Sequence, residues 1–409
     1  RQTNTVETIR VPKMKLSTSV LIGVIATVVG VSALELDLGY AGESLTDIPM
    51  EKRVDALFNH MDAWEMRRGL LSKDEMALKK RGGSGESSIE DSIGAIVVIV
   101  KIGSEKKEVP MLVDTGSPST LVKDEFYNSN KSSTASDPIA LFMVGYLSGQ
   151  GAKGPVVTDN FYFGDLTAKS FPIGVLTKNY YGVVMNDKIG GILAIMYPGL
   201  AENQWYNGQP QEVDLITNLK YQGAIDNRKW QTSIGKGGKL LIGDHDDSLA
   251  EGGLQEMTNS GMSQNHVGIK GKFNDGPQVI FFFDTGSHGI ITTADNAKKI
   301  FNDVGAELKE VDSGNVIGLV DCKNPPTLKF SATEGDLEIE IPKDDITSKE
   351  AGDGKCILPI SGSKKVGTNG SLRHMPNAFV VGETYLRHVT FATDFDSPMK
   401  VKIGKQKRN

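Results

Sequence analysis

Two short segments of this chain repeat one another and end in the same four residues. The segments 109–117 and 279–287 each run through an apolar stretch into Asp-Thr-Gly-Ser. Their aspartates, Asp114 and Asp284, are 170 positions apart. A carboxylate at the end of an apolar strand is costly to bury unless it is hydrogen-bonded. The repeat therefore predicts two equivalent carboxylates, each supported by its own loop.

A single Asp-Thr-Gly segment is usually a structural turn, in which the glycine supplies the backbone freedom. Two copies in equivalent repeats indicate chemistry, because pseudo-twofold packing brings the two carboxyl groups together. Carboxyl groups about 3 Å apart share one proton, so one acts as a base and the other as an acid at about pH 2–5. Such a pair can activate a water for attack on a peptide carbonyl without a metal, a covalent nucleophile or a cofactor.

The elements that must position these carboxylates are short strands. Runs of β-branched residues such as Ile96–Val100, separated by Gly, Asn, Asp and Ser, predict a mainly β protein. Helical patterns are sparse, and the clearest runs from Ala294 to Val304. A second pair of similar segments follows the aspartates, with Ala194 lying 80 positions after the first and Gly382 lying 98 after the second. The chain is therefore expected to contain two copies of one fold-half.

On these repeats, from about Asp91 onward, the chain resembles the pepsin-like aspartic endopeptidases of the secreted fungal sort. The resemblance implies a bilobal fold, in which two β-barrel-like lobes related by a pseudo-twofold axis enclose an active-site cleft. It implies that Asp114 and Asp284 form the catalytic dyad. It also implies that six neighbouring residues support the dyad, namely Thr115, Gly116, Ser117, Thr285, Gly286 and Ser287.

The same resemblance assigns residues around the cleft. Tyr146 matches the tyrosine of the flap that closes over substrate, and Ser148 lies beside it in Tyr-Leu-Ser-Gly. Leu121 stands where the family usually has a tryptophan that bonds this tyrosine, so the flap is expected to lose one hydrogen bond. His288 matches a position that lines the substrate cleft. Ala194 replaces a glycine, and we expect it to displace the first aspartate loop slightly.

The first 81 residues predict targeting and processing segments. The uncharged run of 19 residues from Leu16 to Leu34 follows two lysines and contains the small-residue site Val31-Ser32-Ala33, a pattern typical of a signal peptide. A signal anchor is the alternative, since a run of this length can span a membrane.

We predict four regions along the chain. They are a signal peptide over 1–33, a propeptide over 34–81, an N-terminal lobe over 88–255 and a C-terminal lobe over 256–409.

Composition excludes several other classes of protein. The 409 residues carry a net charge of -6, which argues against a nucleic-acid-binding surface. Two cysteines are too few for a disulfide-stapled miniprotein or a multi-cysteine zinc module. In the family that the chain resembles, Cys322 and Cys356 match a disulfide of the C-terminal lobe. Metalloprotease, P-loop and dinucleotide motifs are absent, so neither a metal nor a cofactor is expected.

The sequence thus predicts an aspartic endopeptidase that hydrolyses protein or peptide substrates at acidic pH. We expect a monomer that is secreted to the extracellular space, or alternatively sent to the vacuole, without stable membrane association once the signal is cleaved. The alternative function is that of a pepsin-like binding protein which hydrolyses weakly or not at all. Loss of either aspartate or its glycine would favour that alternative, and both triplets are intact.

Overall fold

A computed structural model describes most of the chain after residue 85. The described residues are 86–88, 96–145, 151–176, 188–197, 214–234, 238–261, 266–311, 315–347, 350–363, 366 and 377–407. The predicted signal peptide and propeptide lie outside them. None of the described helices is long and apolar enough to cross a membrane.

The first half of the chain forms a sheet of seven strands. The short strand β1 (Glu86–Ser88) precedes it and belongs to another sheet. The seven strands are β2 (Val97–Ile102), β3 (Lys107–Asp114), β4 (Leu121–Lys123), β5 (Ala140–Gly145), β6 (Gly151–Phe163), β7 (Leu166–Leu176) and β8 (Gly191–Ala194). They lie in the order β2-β3-β8-β4-β7-β6-β5, and β2 also pairs with β6. A 3-10 turn, Ser129–Lys131, lies between β4 and β5.

A short helical connection then leads to strands that link the two halves. Helix α1 (Leu215–Tyr221) begins at Asp214, whose carboxylate accepts a hydrogen bond from the Thr217 N–H at 2.7 Å. Three strands follow, β9 (Lys229–Ser233), β10 (Lys239–Ile242) and β11 (Gln255–Thr258), with a 3-10 turn over Asp247–Leu249. The predicted boundary between lobes, 255/256, falls at the start of β11.

The second half forms a sheet of ten strands. Its strands are β12 (Gly268–Phe273), β13 (Gln278–Phe283), β14 (Ile290–Thr293), β15 (Glu307–Val311), β16 (Asn315–Asp321), β17 (Lys329–Ala332), β18 (Glu338–Glu340), β19 (Glu350–Gly352), β20 (Lys355–Ser363) and β21 (Ala378–Val381). The order is β15-β16-β20-β14-β21-β13-β12-β17-β18, with β19 on β20. The predicted helix is present as α2 (Ala294–Asp303), and a single turn, α3 (Lys343–Ile346), follows β18.

The sequence after β21 completes the third sheet. The short helix α4 (Glu383–Leu386) leads into β22 (Val389–Asp394) and β23 (Lys400–Lys405). The six-stranded sheet has the order β1-β10-β9-β22-β23-β11, so it combines strands from both halves of the chain. The ring of Phe283, at the end of β13, packs 5.0 Å from the ring of Phe391 in this sheet. The second aspartate loop therefore rests on a shared apolar core.

The two halves repeat one strand arrangement. In the first, β3 pairs in parallel with β8, which pairs antiparallel with β4. In the second, β13 pairs in parallel with β21, which pairs antiparallel with β14. The prediction of a mainly β chain built from two copies of one fold-half is confirmed. The lobe boundaries remain a prediction.

Candidate active site

The two aspartates emerge at matching places in the two halves. Asp114 is the last residue of β3, and Asp284 directly follows β13. Both strands are buried toward these ends. The last four residues of β3 and the last three residues of β13 are buried. Both carboxyl groups therefore lie where a buried strand ends and the chain turns, as the sequence predicted.

Each loop binds its own carboxylate in the same way. The Gly116 N–H donates to Asp114 Oδ1 at 2.8 Å, and the Ser117 hydroxyl donates to Oδ2 at 2.5 Å. In the second loop the Gly286 N–H donates to Asp284 Oδ1 at 3.0 Å, and the Ser287 hydroxyl donates to Oδ2 at 2.7 Å. Two donors per carboxylate fix its orientation. Ser287 donates to its aspartate in the same way as Ser117 does in the first loop.

The two threonines join the loops to one another. The Thr115 N–H donates to Thr285 Oγ1 at 3.1 Å, and the Thr285 N–H donates to Thr115 Oγ1 at 3.1 Å. Each hydroxyl then donates across to the other half, Thr115 to the Phe283 carbonyl at 2.8 Å and Thr285 to the Val113 carbonyl at 2.7 Å. All of these groups are buried, and a buried donor left unpaired costs about 1–3 kcal/mol. The loops are thus held as one unit.

The glycines allow the carboxyl groups to face each other. A Cβ placed on Gly116 would lie 2.6 Å from Asp284 Oδ1, and a Cβ on Gly286 would lie 2.6 Å from Asp114 Cγ. Each carboxyl group therefore sits over the glycine of the opposite loop. The absence of a side chain at these two positions is what lets the carboxyl groups approach.

The surroundings of Asp114 favour its protonated form. Burial, followed by the negative charge of Asp284, raises the pKa of Asp114 well above its usual range. The hydrogen bonds from Ser117 and Gly116 favour the ionised form and act in the opposite direction, but they are outweighed. Asp114 therefore keeps its proton under conditions in which an exposed aspartate is ionised.

At one pair of matching positions behind the two loops, the first half has Ala194 and the second has Gly382. Asp114 pairs with Ala194 in the parallel ladder of β3 and β8, and the Ile195 N–H donates to the Asp114 carbonyl at 3.0 Å. The first half accommodates the Ala194 side chain in its buried position. At the matching place in the second half, a Cβ on Gly382 would lie 2.3 Å from the Ser287 carbonyl oxygen. The second loop thus packs directly on a glycine, whereas the first does not need one.

Leu121 packs close to the hairpin formed by β5 and β6. It is buried at the start of β4, and a Cβ on Gly174 would lie 2.6 Å from its Cδ2 and 2.8 Å from Phe142 on β5. Strands β5 and β6 form a hairpin whose ladder ends at the pair Gly145 and Gly151. Leu121 therefore supports the base of this hairpin with an apolar side chain that donates no hydrogen bond. The two predicted flap residues, Tyr146 and Ser148, lie outside the described residues.

His288 contacts helix α4. Its side chain is buried, its Nδ1 lies 3.1 Å from Glu383 Oε2, and its Nε2 lies 3.4 Å from the Thr384 hydroxyl. The buried carboxylate of Glu383 thus offers the imidazole a partner inside the protein. The expectation that His288 lines the substrate cleft stays a prediction. Nothing in the sequence around Glu383 distinguished it as a partner.

Sequence reasoning also missed His266. Strands β12 and β13 pair Gly268 with Phe282, so continuing the antiparallel register brings His266 opposite Asp284. The imidazole is partly exposed, while its Nδ1 is buried without a partner among the described residues. Burial lowers the pKa of His266, and the charge of Asp284 opposes this effect. Only the strand pairing identifies this neighbour, since 18 positions separate the two residues in sequence.

The remaining predicted contact lies away from the aspartates. Cys322 and Cys356 form a disulfide with a Cα–Cα distance of 5.0 Å, which confirms the predicted pairing. It joins the end of β16 to β20. Across the described ranges, no group of three His, Cys, Asp or Glu side chains is arranged to hold a metal ion.

Comparison with known proteins gives a family. The model of the eukaryotic aspartyl protease family matches residues 96–405. A probable inactive secreted aspartyl protease of Malassezia globosa is 32% identical over 96% of this chain and 100% of the relative. Candidapepsin-1 of Candida albicans is 22% identical, over 75% of this chain and 80% of the relative.

The fold agrees with a solved structure. The crystal structure of an aspartic proteinase from Irpex lacteus matches with a TM-score of 0.63 and 21% identity, covering 79% of this chain and 97% of that one. The predicted bilobal, mainly β fold is therefore confirmed. With its family match, its relatives and its paired Asp-Thr-Gly loops, this chain belongs to the pepsin-like family of eukaryotic aspartyl proteases.

Proposed function

We propose that this chain is an active aspartic endopeptidase, with Asp114 and Asp284 as its catalytic pair. The observation that carries the proposal is the seating of each carboxyl group over the opposite glycine, within a loop that donates two hydrogen bonds to it. The raised pKa of Asp114 supports it, because a buried pair that retains one proton contains both an acid and a base.

The chemistry follows from that shared proton. The ionised carboxylate removes a proton from a water, and the oxygen of that water attacks the carbonyl carbon of the substrate peptide. The protonated carboxyl group donates to the carbonyl oxygen as negative charge develops there. When the carbon–nitrogen bond breaks, a proton passes from the pair to the leaving amine. Water is consumed, an acid and an amine are released, and the pair regains its single proton.

The surrounding residues have supporting roles in this scheme. Ser117 and Ser287 hold the outer carboxylate oxygens, and Thr115 and Thr285 hold the loops together. Tyr146 and Ser148 would contact substrate from the flap, whose base packs on Leu121. Because Leu121 cannot donate a hydrogen bond, we expect a more mobile flap than a tryptophan would give.

A second candidate function is that of a pepsin-like protein that binds peptides without cleaving them. The observation in its favour is the relative named as probably inactive, which is similar along nearly the whole chain. Against it stand the two complete loops, in which neither an aspartate nor a glycine is replaced. The two candidates differ in one measurable property, which is the release of new peptide termini.

Processing and destination belong to the same proposal. Relatives named as secreted proteases support export to the extracellular space, with the vacuole as the alternative. We propose a signal peptide over 1–33, a propeptide over 34–81, lobes over 88–255 and 256–409, and a monomeric mature protein. Strand β1 begins at Glu86, so processing after residue 81 would leave the described sheets intact.

The full chain can be tested by incubating it with a peptide library from about pH 3 to about pH 7 and sequencing the products by mass spectrometry. We expect cleavage in acid that fades toward neutrality. Asp284→Asn should reduce cleavage by about 10³-fold or more, since it removes the shared proton chemistry. Asp165→Asn removes the same charge from an exposed turn and is the matched control. A folded wild-type protein that binds library peptides but cleaves none would favour the second candidate.

A further inference from the structure

A cluster of charged side chains lies behind the second aspartate loop. We call it the loop-backing cluster, and it consists of His288, Asp345, Glu383, Arg387 and His388. Glu383 and His288 are buried, and the other three side chains are 10–19% exposed. Ionisable groups taken out of water are costly unless they are paired, so a set of this size beside an active-site loop calls for an explanation.

The backbone of α4 holds the loop itself. Three consecutive N–H groups, those of Gly382, Glu383 and Thr384, donate to the carbonyls of residues 289, 287 and 288 at 2.9, 2.7 and 2.8 Å. The turn after Ser287 is therefore bonded to the start of α4 at every residue. Since the Ser287 hydroxyl orients Asp284, any shift of α4 relative to this turn moves the carboxylate.

The side chains of the loop-backing cluster connect the same two elements and extend to a third. His288 Nδ1 lies 3.1 Å from Glu383 Oε2, and Arg387 contacts the other oxygen of Glu383. Arg387 Nη1 lies 3.1 Å from Asp345 Oδ1, and His388 Nε2 lies 2.9 Å from Asp345 Oδ2. The chain of contacts thus runs from the loop through α4 to α3.

The formal charges of this cluster depend on its imidazoles. Its two carboxylates and one guanidinium sum to -1 when both imidazoles are neutral and to zero when one of them is protonated. Burial acts to raise the pKa of Asp345, but the His388 hydrogen bond and the Arg387 charge hold it below its usual value. Asp284 lies four positions before His288 and contributes a further negative charge when ionised. Histidine is the side chain that gains its charge as the pH falls below about 6.5.

The matching positions in the first half carry apolar side chains. Pro118 occupies the position that matches His288, four residues after the aspartate, and the buried Ile195 occupies the position that matches Glu383. The packing of these two side chains does not depend on pH. Of the two aspartate loops, only the second has ionisable side chains at these two positions.

Resting on the proposed function, we propose that His288 is a positioning residue, whose protonated imidazole pairs with Glu383 to hold the Ser287 turn and hence Asp284 in place at acidic pH. The imidazole satisfies its partners in both protonation states, since Thr384 can donate to a neutral Nε2 or accept from a protonated one. Deprotonation replaces an ion pair with a hydrogen bond from a neutral imidazole to the Glu383 carboxylate, which weakens the loop's attachment without unfolding it.

The test compares amide hydrogen exchange in residues 284–290 of the full chain at about pH 4 and about pH 7, corrected for intrinsic rates. In the wild type we expect protection to fall roughly five- to tenfold toward neutral pH, because the ion pair of His288 and Glu383 becomes a hydrogen bond from a neutral imidazole. His288→Gln should give low protection at both pH values. Residues 114–120 should behave alike in both proteins. His245→Gln is the matched control, because that imidazole bonds the Thr393 carbonyl in the six-stranded sheet.

Further measurements separate positioning from a general loss of structure. Where the wild type cleaves peptide, His288→Gln should lower kcat in acid roughly threefold or more with little change in KM, and Glu383→Gln should do the same. If His288→Gln does not fold, Glu383→Gln carries the exchange test alone. A variant that keeps the wild-type pH dependence of exchange overturns the proposal. If the wild type cleaves nothing, the proposed function fails, while the exchange measurement still decides this inference.

Discussion

The two aspartate loops are alike where they face each other and different where they face the rest of the molecule. On the inner side, each carboxylate receives a glycine N–H and a serine hydroxyl, and the two threonines exchange equivalent bonds. On the outer side, the first loop rests on Ala194 and Ile195, whereas the second rests on Gly382 and a set of buried charges.

This difference teaches which parts of a duplicated site are constrained by chemistry. Two carboxyl groups that share a proton must be held at one distance, so both loops need the same donors and the same glycines. The residues on the outer side of each loop only have to be rigid, and both apolar packing and paired charges provide rigidity. Substitutions of the donors or glycines on the inner side should therefore be damaging in both loops, whereas substitutions on the outer side should have different effects in the two halves.

The largest effect is expected from a methyl group on either inner glycine. Gly116→Ala and Gly286→Ala each place a Cβ 2.6 Å from the facing carboxyl group, which must then move. A displacement of about 1 Å at reacting groups can cost about 100-fold in rate, so both variants should lose at least that much kcat/KM. The measurement is steady-state cleavage of one peptide by each purified variant.

A control separates this effect from lost stability. Gly223 ends α1 with a φ of +69° and open space around it, so Gly223→Ala strains the backbone far from the site. It should lower the unfolding midpoint yet leave kcat/KM within about twofold. If one inner variant loses activity and the other does not, the two carboxyl groups are not seated symmetrically.

The second effect is a pH dependence of stability that originates at Asp114. Its pKa is raised in the folded protein, so above about pH 4 the unfolded chain releases a proton that the folded chain keeps. The stabilising contribution is complete below the ordinary aspartate pKa and is lost as the pH rises through the raised one. We expect the thermal midpoint to fall with rising pH, and the fall to be shallower in Asp114→Asn.

Asp165→Asn again provides the comparison, since it changes charge equally at an exposed site. Its melting curves should follow those of the wild type across the same pH range. Identical slopes for wild type and Asp114→Asn would mean that burial of this carboxyl group does not control the pH dependence.

The smallest effect tests the outer sides directly. Gly382 has φ -98° and ψ -170°, angles open to alanine, so what opposes a side chain there is close contact with the backbone, at 2.3 Å from the Ser287 oxygen and 2.7 Å from the Gly289 oxygen. Gly382→Ala should destabilise by about 1–3 kcal/mol through overpacking, measured by denaturant unfolding. Ala194→Gly, the reverse change in the first half, should cost no more than about 1 kcal/mol. Equal values would remove the distinction between the two supports.

The aspartates and their loops could be predicted because the signal is local and repeated. An apolar strand running into Asp-Thr-Gly-Ser is visible in nine consecutive residues, and its second copy indicates the pairing. The disulfide between Cys322 and Cys356 followed from the family resemblance. These features could be predicted because short motifs in the sequence identify them.

His266 and Glu383 could not be predicted in the same way. His266 lies opposite Asp284 only because β12 and β13 pair in one register, and a shift of one residue would have turned it away. Glu383 lies just after an apolar strand, and its partners, His288 of the aspartate loop and Arg387 at the end of α4, are set by the fold. The contact of His288 with Glu383 could not be predicted either, because 95 positions separate the two residues in sequence.

The six-stranded sheet has a consequence for how the chain reaches its native state. Strand β22 lies between β9 and β23, and its Thr390 pairs with Ser233, 157 residues earlier. A ribosome adding about 5–20 residues per second would therefore leave β9 without this neighbour for several seconds or more. During that interval the backbone N–H and C=O groups along one edge of β9 stay open to pairing with other chains. Refolding yield should consequently decline as protein concentration rises, and a slow, high-contact-order step should limit its rate.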